Sequence, residues 1–67
     1  MCMATAYLKH RSGDELLLEE VASVRLQNDG VLLTTLFGRQ ECVAARIREI
    51  DFLESRIILE RQEGRST

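Results

Sequence analysis

Ala22-Ser23-Val24-Arg25-Leu26-Gln27-Asn28-Asp29-Gly30-Val31-Leu32-Leu33-Thr34-Thr35-Leu36 is the stretch whose reading separates a helical chain from a β-chain. Upstream of it, Leu17, Leu18, Val21 and Val24 fit one face of a helix, while Ala22, Val24 and Leu26 alternate with Ser23, Arg25 and Gln27 as a strand would. Period alone leaves the segment open. Asn28-Asp29-Gly30 closes it, because Asn, Asp and Gly tolerate the left-handed backbone of a tight hairpin turn, and the β-branched run that follows favours an extended chain. A hairpin needs a strand on each side. The stretch therefore predicts strands at Ala22 to Gln27 and Val31 to Leu36, with a short crossing strand around Leu16 to Leu18.

Working outward toward the N-terminus, Cys2 to Lys9 alternates Cys2, Ala4, Ala6 and Leu8 with Met3, Thr5, Tyr7 and Lys9, the signature of a further strand. Arg11-Ser12-Gly13-Asp14 supplies turn chemistry after it. Toward the C-terminus, Phe37-Gly38-Arg39 makes a second turn, and Gln40 to Val43 is expected to pair back on Leu32 to Leu36. Glu41 to Glu60 has an apolar stripe close to a helical period, but Ile47, Ile50, Phe52, Ile57, Ile58 and Leu59 favour strands and Glu54-Ser55 suits a reversal. Two strands, Arg46 to Leu53 and Arg56 to Glu60, are expected, with a bulge near Arg48 and Glu49 that moves the apolar parity from Ile47 to Ile50. The chain is thus read as one all-β domain over residues 1–61, five to six short strands curled into a small barrel whose closure removes exposed edges, and a polar, disordered tail over 62–67.

With 67 residues and two Cys, the chain has a thin core and no disulfide framework to supplement it, which leaves oligomerisation as a route to stability. No secretory segment is evident, and uncharged runs such as Val31 to Gly38 are far too short to span a bilayer, so a soluble cytoplasmic protein is expected. Nine Lys and Arg against eleven Asp and Glu give a net charge of −2 with the signs interleaved, which offers no basic footprint for nucleic acid. Three aromatics, Tyr7, Phe37 and Phe52, provide little for base stacking. An enzyme is not indicated: the single His10 forms no Ser/His/Asp grouping, no Gly-rich phosphate loop occurs, and Glu19-Glu20 reads as a wet strand end.

The residue with the most chemistry is Cys2. Loss of the initiator Met before so small a residue leaves a thiol and an α-amine on one residue, and these titrate near 8.5 and near 7.7–8.0, within reach of a metal that displaces their protons. Adjacent N and S donors, joined by a deprotonated backbone nitrogen at Met3, suit nickel(II) or copper(II) in a planar field. A small apolar residue opening a strand is the competing reading of Cys2. His10, about 25 Å away along a fully extended strand, reads as an ordinary surface residue, Cys42 as core filler, and Met3 as a packing residue or a soft axial thioether.

The opening Met1-Cys2-Met3-Ala4, the block Val31-Leu32-Leu33-Thr34-Thr35-Leu36-Phe37-Gly38 and Ile50-Asp51-Phe52 resemble the CooT family of small nickel-binding proteins, named for a maturation factor of carbon monoxide dehydrogenase. The resemblance runs from Met1 to about Glu60. It implies a homodimer of SH3-like or Sm-like β-barrels that binds nickel(II) through Cys2 near a two-fold axis and passes the ion to a client metalloenzyme. The competing function is a non-metal SH3-like or Sm-like module that binds a protein partner or RNA.

Overall fold

A computed structural model describes residues 3–61; Met1, Cys2 and the tail at 62–67 lie outside the described residues. Six strands follow in order: β1 (Ala4–His10), β2 (Gly13–Gln27), β3 (Gly30–Thr35), β4 (Gln40–Val43), β5 (Ala45–Asp51) and β6 (Arg56–Arg61). Among the described residues there is no helix, hence none long and apolar enough to cross a membrane. The strands form one sheet in the order β4-β3-β2-β1-β6-β5, antiparallel except for β1 and β6, which run parallel with Tyr7 opposite Ile58.

The helix-like spacing of Leu18, Val21 and Val24 has a β explanation. β1 places Ala6 opposite Leu18 and Ala4 opposite Val21, so β2 carries an extra residue there, and Glu20 takes a positive φ of 58°. Two more irregularities follow on β2, one at Leu17 between the pairs Ala6–Leu18 and Tyr7–Leu16, and one at Ala22 between the pairs Val21–Thr35 and Ser23–Thr34. Each extra residue inverts the side-chain parity, so Leu18 and Val21 both reach the core from one strand. The expected short crossing strand and the strand from Ala22 are accordingly one bent 15-residue element. The same device recurs in β5, where the register slips between Ile47 and Glu49, at the place the parity change of the apolar residues predicts.

The sheet curls until β3 touches β5, its inner face packed with Ala6, Leu8, Leu18, Val21, Val31, Leu33, Ala45, Ile57 and Leu59. The expected closure into a full barrel is not reached, and the molecule is a half-barrel. Its two edge strands, β4 and β5, are consecutive in the chain and separated by Ala44 alone, so the backbone bridges the edges at one corner instead of hydrogen bonds joining them along their length.

Thr35 shows how the Thr34-Thr35-Leu36-Phe37-Gly38 block is built. Its hydroxyl is buried and accepts hydrogen bonds from the backbone amides of Phe37 at 3.2 Å and Arg39 at 3.1 Å, while its own amide donates to the Arg39 carbonyl at 2.8 Å. Thr35→Val keeps the shape and removes the acceptor, leaving two amides short of a partner in a half-buried turn. The expected loss is about 1–2 kcal/mol, or a fall in Tm of about 4–16 °C for a domain this small. Thermal unfolding followed by circular dichroism measures it, and an unchanged midpoint would show that water replaces the hydroxyl without penalty.

Candidate functional site

The start of β1 is fastened beside the turn between β5 and β6. The Thr5 amide donates to the Ser55 carbonyl at 2.9 Å, and the parallel ladder begins there with Thr5 opposite Arg56. Asp51 shapes that turn: its Oδ1 accepts the amides of Leu53 at 3.0 Å and Glu54 at 3.1 Å, and Ser55 completes the reversal with φ of 56°. The cap holds the backbone so that Phe52 and Leu53 stand outward, 86% and 96% exposed. Arg56 lies 3.9 Å from the other Asp51 oxygen, with its guanidinium 6.0 Å from the centre of the Tyr7 ring.

Between this turn and the bent middle of β2 runs a groove of about 360 Å³, lined chiefly by apolar atoms of Met3, Val21, Val24, Ile50, Phe52 and Ile57. Met3 and Ala4 of the N-terminal block and Ile50-Asp51-Phe52 therefore form adjoining walls of one cleft. Cys2 itself, the residue before Met3 in the sequence, lies outside the described residues. Among the described residues, no group of three or more His, Cys, Asp and Glu could hold a metal ion.

The other candidate ligands are dispersed. His10 is exposed at the opposite end of β1, where its Nε2 meets Glu15 Oε1 at 2.7 Å, the surface role expected of it. Cys42 corrects the expectation of a core residue: it is a free, exposed thiol. On β4 the half-buried positions fall to Glu41 and Val43, and Val43 is the one that packs against the core, so alternation turns Cys42 outward on an edge strand.

The fold also assembles a feature that the interleaved charges conceal. Lys9, His10, Arg11, Arg46, Arg48, Glu60 and Arg61 line a depression of about 320 Å³ at the far end of β1, β5 and β6. The parallel register sets Lys9 opposite Glu60, and the antiparallel register sets Arg46 opposite Glu60 and Ala45 opposite Arg61. Glu60 bonds Arg46 at 2.7 Å and Arg48 at 3.1 Å, and those two guanidinium groups, Arg46 foremost, hold its carboxyl below the usual value. The sequence signal was the pair Lys9-His10-Arg11 and Arg46-x-Arg48, unconnected until the β1–β6 pairing is known.

A family model described as "CO dehydrogenase accessory protein CooT" matches residues 1–60. The chain belongs to the CooT family. A crystal structure described as that of a CooT from Carboxydothermus hydrogenoformans is similar over 92% of this chain and 100% of its own, with a TM-score of 0.86 and 32% sequence identity. No curated protein matches the chain. Membership ties the CooT chain to an accessory role for CO dehydrogenase, the role of a helper to an enzyme.

Proposed function

We propose that this CooT chain is a nickel(II)-binding metallochaperone of the cytoplasm that takes part in maturation of a CO dehydrogenase or a similar client enzyme, binding the ion through Cys2 at the interface of a homodimer. The observation that carries the reading is the convergence of Met3 and Ala4, which follow Cys2 in the sequence, and Ile50-Asp51-Phe52 on one apolar groove, in a chain whose family assists CO dehydrogenase. A thiolate with an adjacent amine or backbone nitrogen of Met3 gives each chain two donors, half of a planar four-donor set. A second copy related by a two-fold axis near the groove supplies the other half.

The surface around the groove supports the same arrangement. Phe52, Leu53 and the half-exposed Ile50 form an apolar rim on a domain with few fully buried large side chains, and covering one such residue contributes about 1.5–3 kcal/mol. Each protomer in this reading is an SH3-like or Sm-like half-barrel whose open side meets its partner. Delivery asks for an exchangeable site, and a dimer-shared set of terminal ligands can open by movement of chain ends without unfolding either half-barrel. Copper(II) binds such donors more tightly than nickel(II) in the general affinity order, so selection for nickel rests on ligand geometry and metal supply.

The test is a nickel(II) titration of the tag-free chain under reducing conditions, followed by absorption spectroscopy, with the mass of the same sample showing whether Met1 is retained. Saturation at one nickel per two chains, with thiolate-to-metal charge-transfer bands, is the expected result. A silent spectrum would overturn the metallochaperone reading and leave the half-barrel as a non-metal interaction module for a protein or RNA.

A further inference from the structure

We propose that the basic depression at the far end of β1, β5 and β6 is a docking surface for an acidic segment of a partner protein. Five of its lining residues are cations, Lys9, Arg11, Arg46, Arg48 and Arg61, against the one carboxylate of Glu60. The remaining described residues hold three cations and nine carboxylates, so positive charge is concentrated here on a chain that is acidic elsewhere. Glu60 is already shared between Arg46 and Arg48, while Lys9, Arg11 and Arg61 form no ion pair with any described residue.

Guanidinium groups bind carboxylates through paired, parallel hydrogen bonds, and the Glu60 bridge holds two of them in place, reducing the ordering cost when an anion arrives. The chemistry favours a short acidic peptide over nucleic acid. Neither Phe, Tyr nor Trp lines the depression for stacking, and a long polyanion crossing a patch this small would run onto the acidic remainder of the surface. The depression and the Met3 groove lie at opposite ends of the same three strands, so both can be engaged at once, and this inference does not depend on nickel binding.

Deca-glutamate added to the 15N-labelled chain at low salt is expected to move the amide signals of residues 9–11, 46–48 and 60–61, with the binding weakened as salt rises. The paired variant Arg11→Glu with Arg61→Glu, neither of which forms an ion pair with Glu60, should weaken it about tenfold or more. Arg25→Glu, outside the depression, should leave it within about twofold, and the spectra themselves report that each variant is folded. Absence of shifts with deca-glutamate, or an affinity unchanged by the paired variant, would overturn the proposal. Tighter binding of a fifteen-residue oligothymidylate would overturn it in favour of nucleic acid, and equal binding of inorganic phosphate would reduce the patch to a small-anion site.

Discussion

Cys2→Ser is expected to lower nickel(II) affinity by more than about a hundredfold while leaving the circular dichroism spectrum and melting midpoint unchanged. Changing a group that merely supports a ligand costs about 10–100-fold, so loss of a donor atom exceeds that range. A serine hydroxyl cannot replace the sulfur: it does not ionise near neutral pH, and its hard oxygen suits a borderline ion such as nickel(II) less well than thiolate. The fold should be indifferent, because Cys2 precedes the first residue of the core cluster, and β1 is held by Thr5–Ser55 and the ladders beyond it. Isothermal calorimetry on the variant beside Cys42→Ser and His10→Ala distinguishes the site from its competitors. Cys42 is an exposed thiol on an edge strand and His10 is engaged with Glu15 at the other end of β1, so both controls should keep near-native affinity. Wild-type affinity in Cys2→Ser would remove the proposed site, and a large loss in either control would move it. Because Cys42 is accessible, thiol counts during such a titration are read in the Cys42→Ser background.

The strands were legible where local chemistry acts alone. Asn28-Asp29-Gly30 encodes its hairpin whatever surrounds it, and Gln27 does pair with Gly30 across that turn. The bulge near Arg48 and Glu49 was legible because Ile47 and Ile50 fall on opposite parities and share a face only if one residue is skipped. β2 was harder, since three irregularities in one strand imitate a helical period, and the positive φ at Glu20 has no glycine or asparagine to announce it. The half-barrel was hidden for a different reason: whether a sheet closes depends on how its two edges meet, and here that is decided by a single residue, Ala44, between β4 and β5. Cys42 was misplaced by the average preference of cysteine for interiors, which alternation along β4 overrides. The basic depression depends on a parallel pairing between residues some fifty positions apart, which no local pattern carries. In the same way the groove's two walls were visible as separate sequence blocks, and their adjacency came only from the β1–β6 ladder.

Gly30→Ala is expected to have the largest effect on stability, about 3 kcal/mol or more, because Gly30 sits where that corner is made. Gly30 is buried, and a Cβ placed on it would overlap the Val43 carbonyl oxygen and come within 3.0 Å of the Val43 carbonyl carbon and 3.1 Å of Ala44 Cα. Every one of these atoms is backbone, so no change of rotamer relieves the clash. Relief requires moving the β4–β5 corner, which would disturb the Val31–Val43 pair and Ala45, a residue 1% exposed in the core. Overpacking of a core costs about 1–3 kcal/mol when side chains can adjust, and a fixed backbone wall puts this case at the upper end or beyond. A domain of this length has roughly 3–10 kcal/mol in all, so the midpoint should fall by about 12 °C or more. Gly38→Ala provides the comparison. Gly38 has a φ of 88° with open space where a Cβ would stand, so that variant carries backbone strain alone, of order 1–3 kcal/mol. If the two variants melt together, the corner is soft and the half-barrel is held by its ladders; if Gly30→Ala melts well below Gly38→Ala, the close approach of Gly30 to Val43 and Ala44 is what joins the two edges of the sheet.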